Sequence, residues 1–279
     1  MKNISIVYFG TDEFAGIVLE KFVKAGFDVR AVVMPPDEPV GRKKIITSPP
    51  IKNATLRLNL NVLQPRLLKD FEMPKADLGI VVVYGKIIPK KMLAMPKYGF
   101  LNIHPSLLPK YRGPSPIKTA IANGDTETGV TIIELDSEMD HGPIIGHESC
   151  IIDHDERHEQ LREKLANLGA ELLIKTIPEY ISGHIEAKPQ DHTKATHTRM
   201  LNKEDGKISL NDDPQMIYNK FRAYHEWPGV WFMHKNIRVI VRDCKIENCK
   251  LKITLLQPEG KKPMNVLEYT NGYGRLPNS

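Results

Sequence analysis

The sequence predicts an α/β protein in which a doubly wound, mostly parallel sheet is followed by a small β domain. Over residues 1–185, short apolar segments rich in β-branched residues alternate with segments of helical apolar spacing. This alternation is typical of parallel strands joined by crossover helices and predicts a Rossmann-like architecture. A polar stretch without periodicity follows, and short strands separated by turn residues dominate the remainder of the 279 residues.

The amino-terminal βα unit is the first element that the sequence defines. Ile4–Phe9 is apolar and β-branched, and the chain turns after it at Gly10. Thr11 or Asp12 is a suitable cap for an amphipathic helix over Glu13–Lys24. Doubly wound sheets bind ligands outside the carboxyl ends of the strands, where the strand order reverses. This turn is a candidate binding edge, although it lacks the G-x-G-x-x-G pattern of a dinucleotide site.

The remaining elements follow from the same patterns. Strands are predicted at Val29–Val33, Asp77–Val83, Phe100–Ile103, Thr128–Glu134, Ile237–Val241 and Leu251–Leu256, and helices at Lys52–Asn59, Lys90–Ala94, 156–180 and Pro214–Arg222. Residues 34–50 contain five prolines and one glycine, which predicts a long loop. We therefore predict a first domain at 1–188, a linker at 189–205 and a second domain at 206–279.

The composition excludes several classes of protein. Three cysteines, Cys150, Cys244 and Cys249, are too few for a disulfide framework and lack the spacing of a zinc site. No apolar run approaches the ~18 residues that cross a bilayer, and the first residues lack the apolar stretch of a signal peptide. We expect a cytoplasmic protein with no bound metal and no membrane association.

The net charge of +5 is unevenly distributed. Residues 1–205 carry 27 basic and 27 acidic side chains, whereas residues 206–279 carry 12 Lys or Arg against 7 Asp or Glu. An excess confined to one part of a chain indicates either contact with nucleic acid or a solvated basic surface. The basic tract Arg42, Lys43 and Lys44 within the proline-rich loop has the same two interpretations.

Residues 101–113, LNIHPSLLPKYRG, hold the densest group of candidate catalytic side chains. Asn102 and His104 share one face of a predicted strand because side chains alternate along a strand. An amide can donate to a developing oxyanion and an imidazole can move a proton, as acyl or formyl transfer requires. The alternative is structural, with Asn102 capping a turn and His104 satisfying backbone groups.

A carboxylate beside His104 would orient the imidazole and favour its protonated form. The segment DSEMDHGPII (136–145) offers Asp136, Glu138, Asp140 and His141, and spacing alone does not choose among them. No serine or cysteine stands out as a nucleophile. Direct transfer between two bound substrates is therefore favoured over a covalent intermediate.

The chain as a whole resembles the methionyl-tRNA formyltransferases, members of a superfamily that uses 10-formyltetrahydrofolate. The segments that carry the resemblance are FGTDEFA (9–15), PPDEPVGR (35–42), SPPIK (48–52), VVYGKIIP (82–89), NIHPSLLPKYRGPSPI (102–117), GDTETGVTI (124–132), MDHGPII (139–145), EWPGVW (226–231) and LQPEGKKPM (256–264). The central motifs are common to the superfamily, and the outer basic motifs favour tRNA as the formyl acceptor.

The resemblance implies that the enzyme transfers the formyl group of 10-formyltetrahydrofolate to the α-amine of initiator methionyl-tRNA, for translation initiation. The implied catalytic residues are Asn102, His104 and Asp140. The implied folate contacts are Ser106, Leu107, Leu108 and Pro109, together with the backbone around Val83, Tyr84, Gly85 and Ile88, and the implied tRNA contacts are Arg42, Lys43, Lys44, Lys261 and Lys262. The resemblance further implies a formyltransferase fold with a shortened β-barrel (OB-like) second domain, a cis Leu108–Pro109 bond and a monomer.

Two alternatives stay open. A nucleotide-sugar N-formyltransferase would share the folate half and take a different acceptor, whereas a noncatalytic tRNA- or folate-binding protein would keep the fold alone. Pro105 replaces the small residue that is frequent in the tRNA enzymes, and the second domain is shorter than is usual for that family. An intact set of Asn102, His104 and Asp140 favours an enzyme, because binding alone needs no such set.

Overall fold

The computed structural model describes residues 4–41 and 43–276. The chain divides into two compact units. The first unit is Met1–Pro114, Thr128–Cys150 and Arg162–His197, and the second is Ser115–Glu127, Ile151–Leu161 and Thr198–Ser279. The domains predicted from the sequence are continuous, whereas these units interleave.

Every helix and strand predicted from the sequence is present; α1 has the predicted ends and the others are shifted by a few residues. The strands are β1 (Ser5–Gly10), β2 (Asp28–Val33), β3 (Glu38–Val40), β4 (Ile45–Thr47), β5 (Val62–Leu63), β6 (Leu78–Val82), β7 (Phe100–His104), β8 (Glu127–Glu134), β9 (Ile144–Ile151), β10 (Val230–His234), β11 (Ile237–Glu247), β12 (Lys250–Pro258) and β13 (Met264–Asn265). The α-helices are α1 (Glu13–Lys24), α2 (Ile51–Arg57), α3 (Lys90–Leu93), α4 (Pro116–Ala122), α5 (His158–Ile181), α6 (Pro214–Tyr224) and α7 (Val266–Tyr273). None of these helices is both long and apolar enough to cross a membrane.

A seven-stranded sheet forms the centre of the first unit, with the strand order β5-β2-β1-β6-β7-β8-β9. Strands β5, β2, β1, β6 and β7 are mutually parallel, and β8 runs antiparallel to β7. The chain leaves β1 toward β2 on one side and returns to place β6 on the other. The strand order therefore reverses between the carboxyl ends of β1 and β6, and the predicted doubly wound, mostly parallel sheet is confirmed.

Buried aromatic packing fixes the position of β7 in this sheet. All five residues of β7 are buried. Phe100 meets Phe9 of β1 with ring centroids 5.6 Å apart, and a Cβ on Gly79 of β6 would lie 2.2 Å from the Phe100 ring. Only glycine leaves room for the ring, because real Cβ atoms do not approach other atoms this closely. The start of β7, two residues before Asn102, is therefore held by packing.

The predicted start of α1 is also confirmed. The Asp12 side chain caps the helix by accepting a hydrogen bond from the Ala15 N–H at 3.1 Å. The same carboxylate lies 2.7 Å from Arg162 of α5. Such caps typically stabilise the folded state by about 1 kcal/mol. Asp12 therefore begins the helix with its cap and connects it to α5 through Arg162.

The prediction of a long loop over 34–50 is wrong for its central part, where β3 and β4 form an antiparallel hairpin. Val40 pairs with Ile45, and the turn between them contains Gly41 and Lys44 with left-handed φ values of 73° and 49°. Proline is excluded from central strands but is tolerated in edge strands. Both strands of this two-stranded hairpin are edge strands, so its proline is compatible with pairing. Arg42 lies outside the described residues.

The second unit carries the predicted small β domain. Its four-stranded sheet has the order β10-β11-β12-β13, and each neighbouring pair is antiparallel. Strands β11 and β12 are longer than predicted because Asn248 and Cys249 form a tight turn, with φ values of 50° and 60°, that lets the ladder continue to its end. Helix α6 packs against α4 and against this sheet.

Candidate active site

Strand β7 presents Asn102 and His104 on one face at its carboxyl end. Their residues are only 8% and 5% exposed, and β7 is hydrogen-bonded to β6 on one side and β8 on the other. The Asn102 side-chain amide has no hydrogen-bond partner among the described residues, although its strand is fully paired. The backbone of Asn102 is therefore fixed by the strands on both sides, while the N–H groups of its side chain are available to a ligand.

The ring of His104 is oriented by the backbone. Its Nε2 lies 2.9 Å from the carbonyl oxygen of Tyr111. A carbonyl can only accept a hydrogen bond, so Nε2 carries the hydrogen in this arrangement. The other ring nitrogen, Nδ1, consequently faces Asp140, with 3.4 Å between Nδ1 and Oδ1. At this separation the Asp140 carboxylate and the Tyr111 carbonyl together fix the orientation of the imidazole ring.

Asp140 is the carboxylate that faces His104, so the geometry selects it from the three carboxylates in 136–145. Its side chain is 13% exposed, and its Oδ2 accepts a hydrogen bond from the Gly113 N–H at 2.7 Å. Asp136 instead lies 2.6 Å from the ring of His141, and Glu138 is exposed. The sequence could not make this choice, because it depends on how the turn after β8 folds.

The segment that follows β7 is fixed by hydrogen bonds within itself and to Thr131 of β8. Ser106 donates to the Lys110 carbonyl at 2.6 Å, and Thr131 of β8 donates to the Ser106 carbonyl at 2.7 Å. The Leu108 N–H donates to the same threonine hydroxyl at 3.1 Å, and the Leu108–Pro109 bond is cis, as expected. Sequence patterns do not single out Thr131, which is one β-branched residue of an ordinary strand.

Four residues predicted at the end of β6 divide into two pairs. Tyr84 and Ile88 are buried in the apolar core, whereas Val83 and Gly85 are exposed and adopt left-handed φ values of 46° and 74°. The Thr11 hydroxyl donates to the Tyr84 carbonyl at 2.9 Å and so joins the carboxyl ends of β1 and β6. Val83 and Gly85 thus belong to the exposed surface at the reversal of strand order, with the exposed Lys86 and Ile87 following them in the chain.

The predicted basic contacts lie on exposed loops. Lys43 and Lys44 are exposed in the β3–β4 turn of the first unit, and Lys261 and Lys262 are exposed between β12 and β13 of the second. Exposed lysines suit contact with phosphate, which is made through charge rather than a shaped pocket.

One group of potential metal ligands comes together among the described residues. His158, Glu159 and Glu226, all in the second unit, have ligand atoms within 4.8 Å of one another. Glu226 is exposed and the other two are half-buried. This group includes none of the residues of the β7 edge.

Comparison with known proteins gives the class of the chain. The family described as "Formyl transferase" matches residues 2–177, and the family described as "Formyl transferase, C-terminal domain" matches residues 200–250. The fold and these two matches thus define a formyl transferase.

Curated relatives narrow the class. A methionyl-tRNA formyltransferase of Caldicellulosiruptor saccharolyticus is 38% identical over 97% of this chain and 97% of its own, and one of Chloroflexus aurantiacus is 44% identical over 81% of this chain and 75% of its own. The chain belongs to the methionyl-tRNA formyltransferase family.

Solved structures share the fold at lower identity. An N-formyltransferase from Helicobacter canadensis, solved with folinic acid and dTDP-3-aminofucose, has a TM-score of 0.68 at 21% identity over 88% of each chain. A methionyl-tRNA formyltransferase from Clostridium thermocellum has a TM-score of 0.60 at 16% identity over 91% of this chain and 98% of its own.

Proposed function

We propose that this protein transfers the formyl group of 10-formyltetrahydrofolate to the α-amine of initiator methionyl-tRNA, giving N-formylmethionyl-tRNA. The observation that carries the proposal is the 38% identity to a methionyl-tRNA formyltransferase over 97% of both chains. Formyl transferases differ in the acceptor that receives the formyl group. A match over 97% of both chains includes the second unit as well as the sheet of the first, so it supports the same acceptor.

Asn102 stabilises the negative charge that develops during transfer. The amine nitrogen attacks the formyl carbon, and the C=O electron pair moves onto the oxygen to give a tetrahedral oxyanion. The Asn102 amide, buried and without another partner among the described residues, donates its N–H to this oxygen. Such preorganised donors contribute about 10²–10³ in rate, because they need no rearrangement at the moment of reaction.

His104 and Asp140 supply orientation and a proton acceptor. The Tyr111 carbonyl fixes Nε2 of His104, Nδ1 faces the Asp140 carboxylate at 3.4 Å, and the imidazole lies beside Asn102 on the same face of β7. Asp140 takes the proton that the attacking amine loses. Collapse of the intermediate breaks the bond to N10 of the folate, and this nitrogen receives the proton, leaving tetrahydrofolate.

The folate lies at the reversal of strand order, against the surface formed by Val83 and Gly85 and the half-buried Leu107 and Pro109. Ser106, Leu108, Tyr84 and Ile88 are as buried as Asn102 and His104, and they belong to the same proposed folate contact, Tyr84 and Ile88 through their backbone groups. The arrangement follows the general rule that ligands of doubly wound sheets bind at this edge.

The tRNA is held through exposed positive charge. The acceptor stem contacts Lys43 and Lys44, together with Arg42, which lies outside the described residues. The phosphate backbone contacts Lys261 and Lys262. Phosphate contacts of this kind release counterions, so we expect affinity for tRNA to fall steeply with salt.

The test is a transfer assay with isotopically labelled 10-formyltetrahydrofolate and charged initiator tRNA. We expect labelled formylmethionine after the tRNA ester is hydrolysed, with one tetrahydrofolate formed for each formyl group transferred. Release of free formate without labelled formylmethionine would contradict the proposal, because the enzyme would then be a hydrolase of the donor.

A second candidate is a nucleotide-sugar N-formyltransferase. It is favoured by the Helicobacter canadensis enzyme, whose TM-score of 0.68 exceeds the 0.60 of the methionyl-tRNA enzyme from Clostridium thermocellum. This candidate requires transfer to a free dTDP-linked amino sugar and no affinity for tRNA.

A further inference from the structure

A short segment after α5, residues 188–197, lies between the turn that contains Asp140 and the residues that follow β7. At one end Lys188 exchanges two backbone hydrogen bonds with Ile144, at 2.7 and 2.8 Å. At the other end Thr196 accepts from the Arg112 N–H at 2.8 Å and donates to the Pro109 carbonyl at 3.2 Å. Its sequence has only the character of a linker, yet the segment connects the residues after Asp140 to the residues after β7.

Gln190 is the buried side chain of this segment. Although it belongs to a polar stretch, its residue is only 5% exposed. Its Nε2 donates to the carbonyl of Asp140 at 2.9 Å and to the carbonyl of Gly142 at 2.8 Å. Its Oε1 accepts from Arg112, at 3.2 Å from Nε and 2.6 Å from Nη2.

These bonds define the orientation of the amide. Arginine only donates and backbone carbonyls only accept, so Oε1 must face Arg112 and Nε2 must face the turn. Both hydrogens of Nε2 are used, and Oε1 receives two. A side chain this fully satisfied is held in one position, as buried polar groups require.

The turn at 140–142, to which Gln190 donates two hydrogen bonds, has an unfavourable backbone conformation. Asp140 has a left-handed φ of 50°, which is uncommon for a residue with a side chain. Two residues later, a Cβ on Gly142 would lie 1.8 Å from the carbonyl oxygen of Glu134, so the chain passes with no space to spare. Strained conformations persist only where surrounding contacts over-determine them.

Arg112 and Gly113 anchor Asp140 at two points. The Gly113 N–H binds the carboxylate directly at 2.7 Å. The Arg112 side chain, also only 5% exposed, holds the backbone of Asp140 through Gln190. The carboxylate and the main chain of Asp140 are thus fixed from the same two consecutive residues.

We propose that Gln190 is a positioning residue for the transfer reaction, which keeps the Asp140 carboxylate opposite Nδ1 of His104. The proposal rests on the catalytic role proposed above for Asp140. Gln190 itself touches no substrate. Without its two donated bonds the turn relaxes, and the Asp140 carboxylate moves away from its position 3.4 Å from His104.

The test is a double-mutant cycle in the full chain with Gln190→Met, Asp140→Asn and the combined variant. We expect Gln190→Met to lower kcat about 10- to 100-fold, since displacements near 1 Å cost rates of this size. KM for both substrates should stay within about threefold, because only a transition-state interaction is affected. The combined variant should be no slower than Asp140→Asn alone.

A matched control is Gln215→Met, which removes a glutamine whose Nε2 donates to Asn219 in the second unit. It should leave kcat and the pH dependence of transfer unchanged. Unchanged turnover in Gln190→Met, or losses that multiply in the combined variant, would overturn the positioning role. If Asp140→Asn turned over at the wild-type rate, the role proposed for Asp140 would fail instead.

Gln190→Glu serves if Gln190→Met does not fold. It keeps the length of the side chain and an acceptor for Arg112 but removes both donors to the turn. We expect the same pattern in the cycle. If neither variant gave a cooperative thermal transition, Gln190 would be a structural residue and the proposal would be wrong.

Discussion

The β7 edge and the β3–β4 hairpin are two parts of the first unit that could hardly be built more differently. Asn102 and His104 are buried and held by strands on both sides, whereas every residue of β3 and β4 is exposed. The geometry that we propose for catalysis is thus set by the strands themselves. The hairpin, in contrast, offers exposed positive charge to a partner of opposite charge. Substitutions at the edge should therefore alter turnover, and substitutions at the hairpin should alter tRNA binding.

Asn102→Ala is the largest expected break in this comparison. We expect single-turnover formyl transfer to fall by about 10²–10³, the usual cost of removing an oxyanion donor. The melting temperature should change little, because the side-chain amide has no hydrogen-bond partner among the described residues. The exposed Asn53→Ala is the matched control. A rate for Asn102→Ala within threefold of wild type would remove this residue from the catalytic set.

Asp140→Asn should cost about 10² in kcat, on the usual scale for an acid–base group. Its matched control is Asp136→Asn, because Asp136 pairs with His141 rather than His104. The two variants are compared by steady-state kinetics at saturating donor and tRNA. If Asp136→Asn were the slower enzyme, the assignment of the carboxylate would be wrong.

The hairpin lysines should affect affinity instead of turnover. For Lys43→Ala and Lys44→Ala, we expect an unchanged kcat, a raised KM for tRNA and a salt slope of binding reduced by about one for each lysine removed. Filter binding at several salt concentrations measures this slope. Lys24→Ala, an exposed lysine at the end of α1, is the control. A fall in kcat without a change in the salt slope would contradict the comparison.

The smallest effect concerns Tyr84, whose hydroxyl is buried with no hydrogen-bond partner among the described residues. Leaving such a group unpaired costs about 1–3 kcal/mol, so Tyr84→Phe should be neutral or stabilising in urea unfolding at pH 8. A clear decrease in stability there would reveal an interaction of the hydroxyl.

The same variant carries a pH signature. Burial raises the pKa of Tyr84 from 10.0 to about 12. The folded state therefore keeps this proton after the unfolded state has released it, and stability falls as pH rises from 10 toward 12. Tyr84→Phe should lose less stability than wild type over that range. Equal losses would show that Tyr84 contributes nothing to the alkaline transition.

Local patterns were sufficient for most of the fold. The alternation of side chains along a strand is enough to place Asn102 and His104 on one face, and the β-branched runs mark the parallel strands. The hairpin at 38–47 escapes such patterns because its prolines argue against a strand, and the pairing of Val40 with Ile45 depends on a turn that contains left-handed residues.

The features that could not be predicted from the sequence depend on contacts between residues that are distant in the chain. Asp140 is one of several polar residues in its segment, and only the fold of the turn brings it to His104. Gln190 lies 50 residues beyond Asp140 and shows no periodicity, so no local signal indicates that it is buried. Thr131 likewise belongs to no motif, because its hydrogen bonds to Ser106 and Leu108 arise only from the pairing of β8 with β7.

Competition between two acceptors distinguishes a methionyl-tRNA formyltransferase from a nucleotide-sugar formyltransferase. Labelled 10-formyltetrahydrofolate is limiting, and charged initiator methionyl-tRNA and a dTDP-linked 3-amino sugar are present together at equal concentration. We expect the label on methionyl-tRNA, and we expect that raising methionyl-tRNA to an excess over the amino sugar abolishes any transfer to the sugar. Recovery of the label on the amino sugar, unaffected by tRNA, would contradict this expectation.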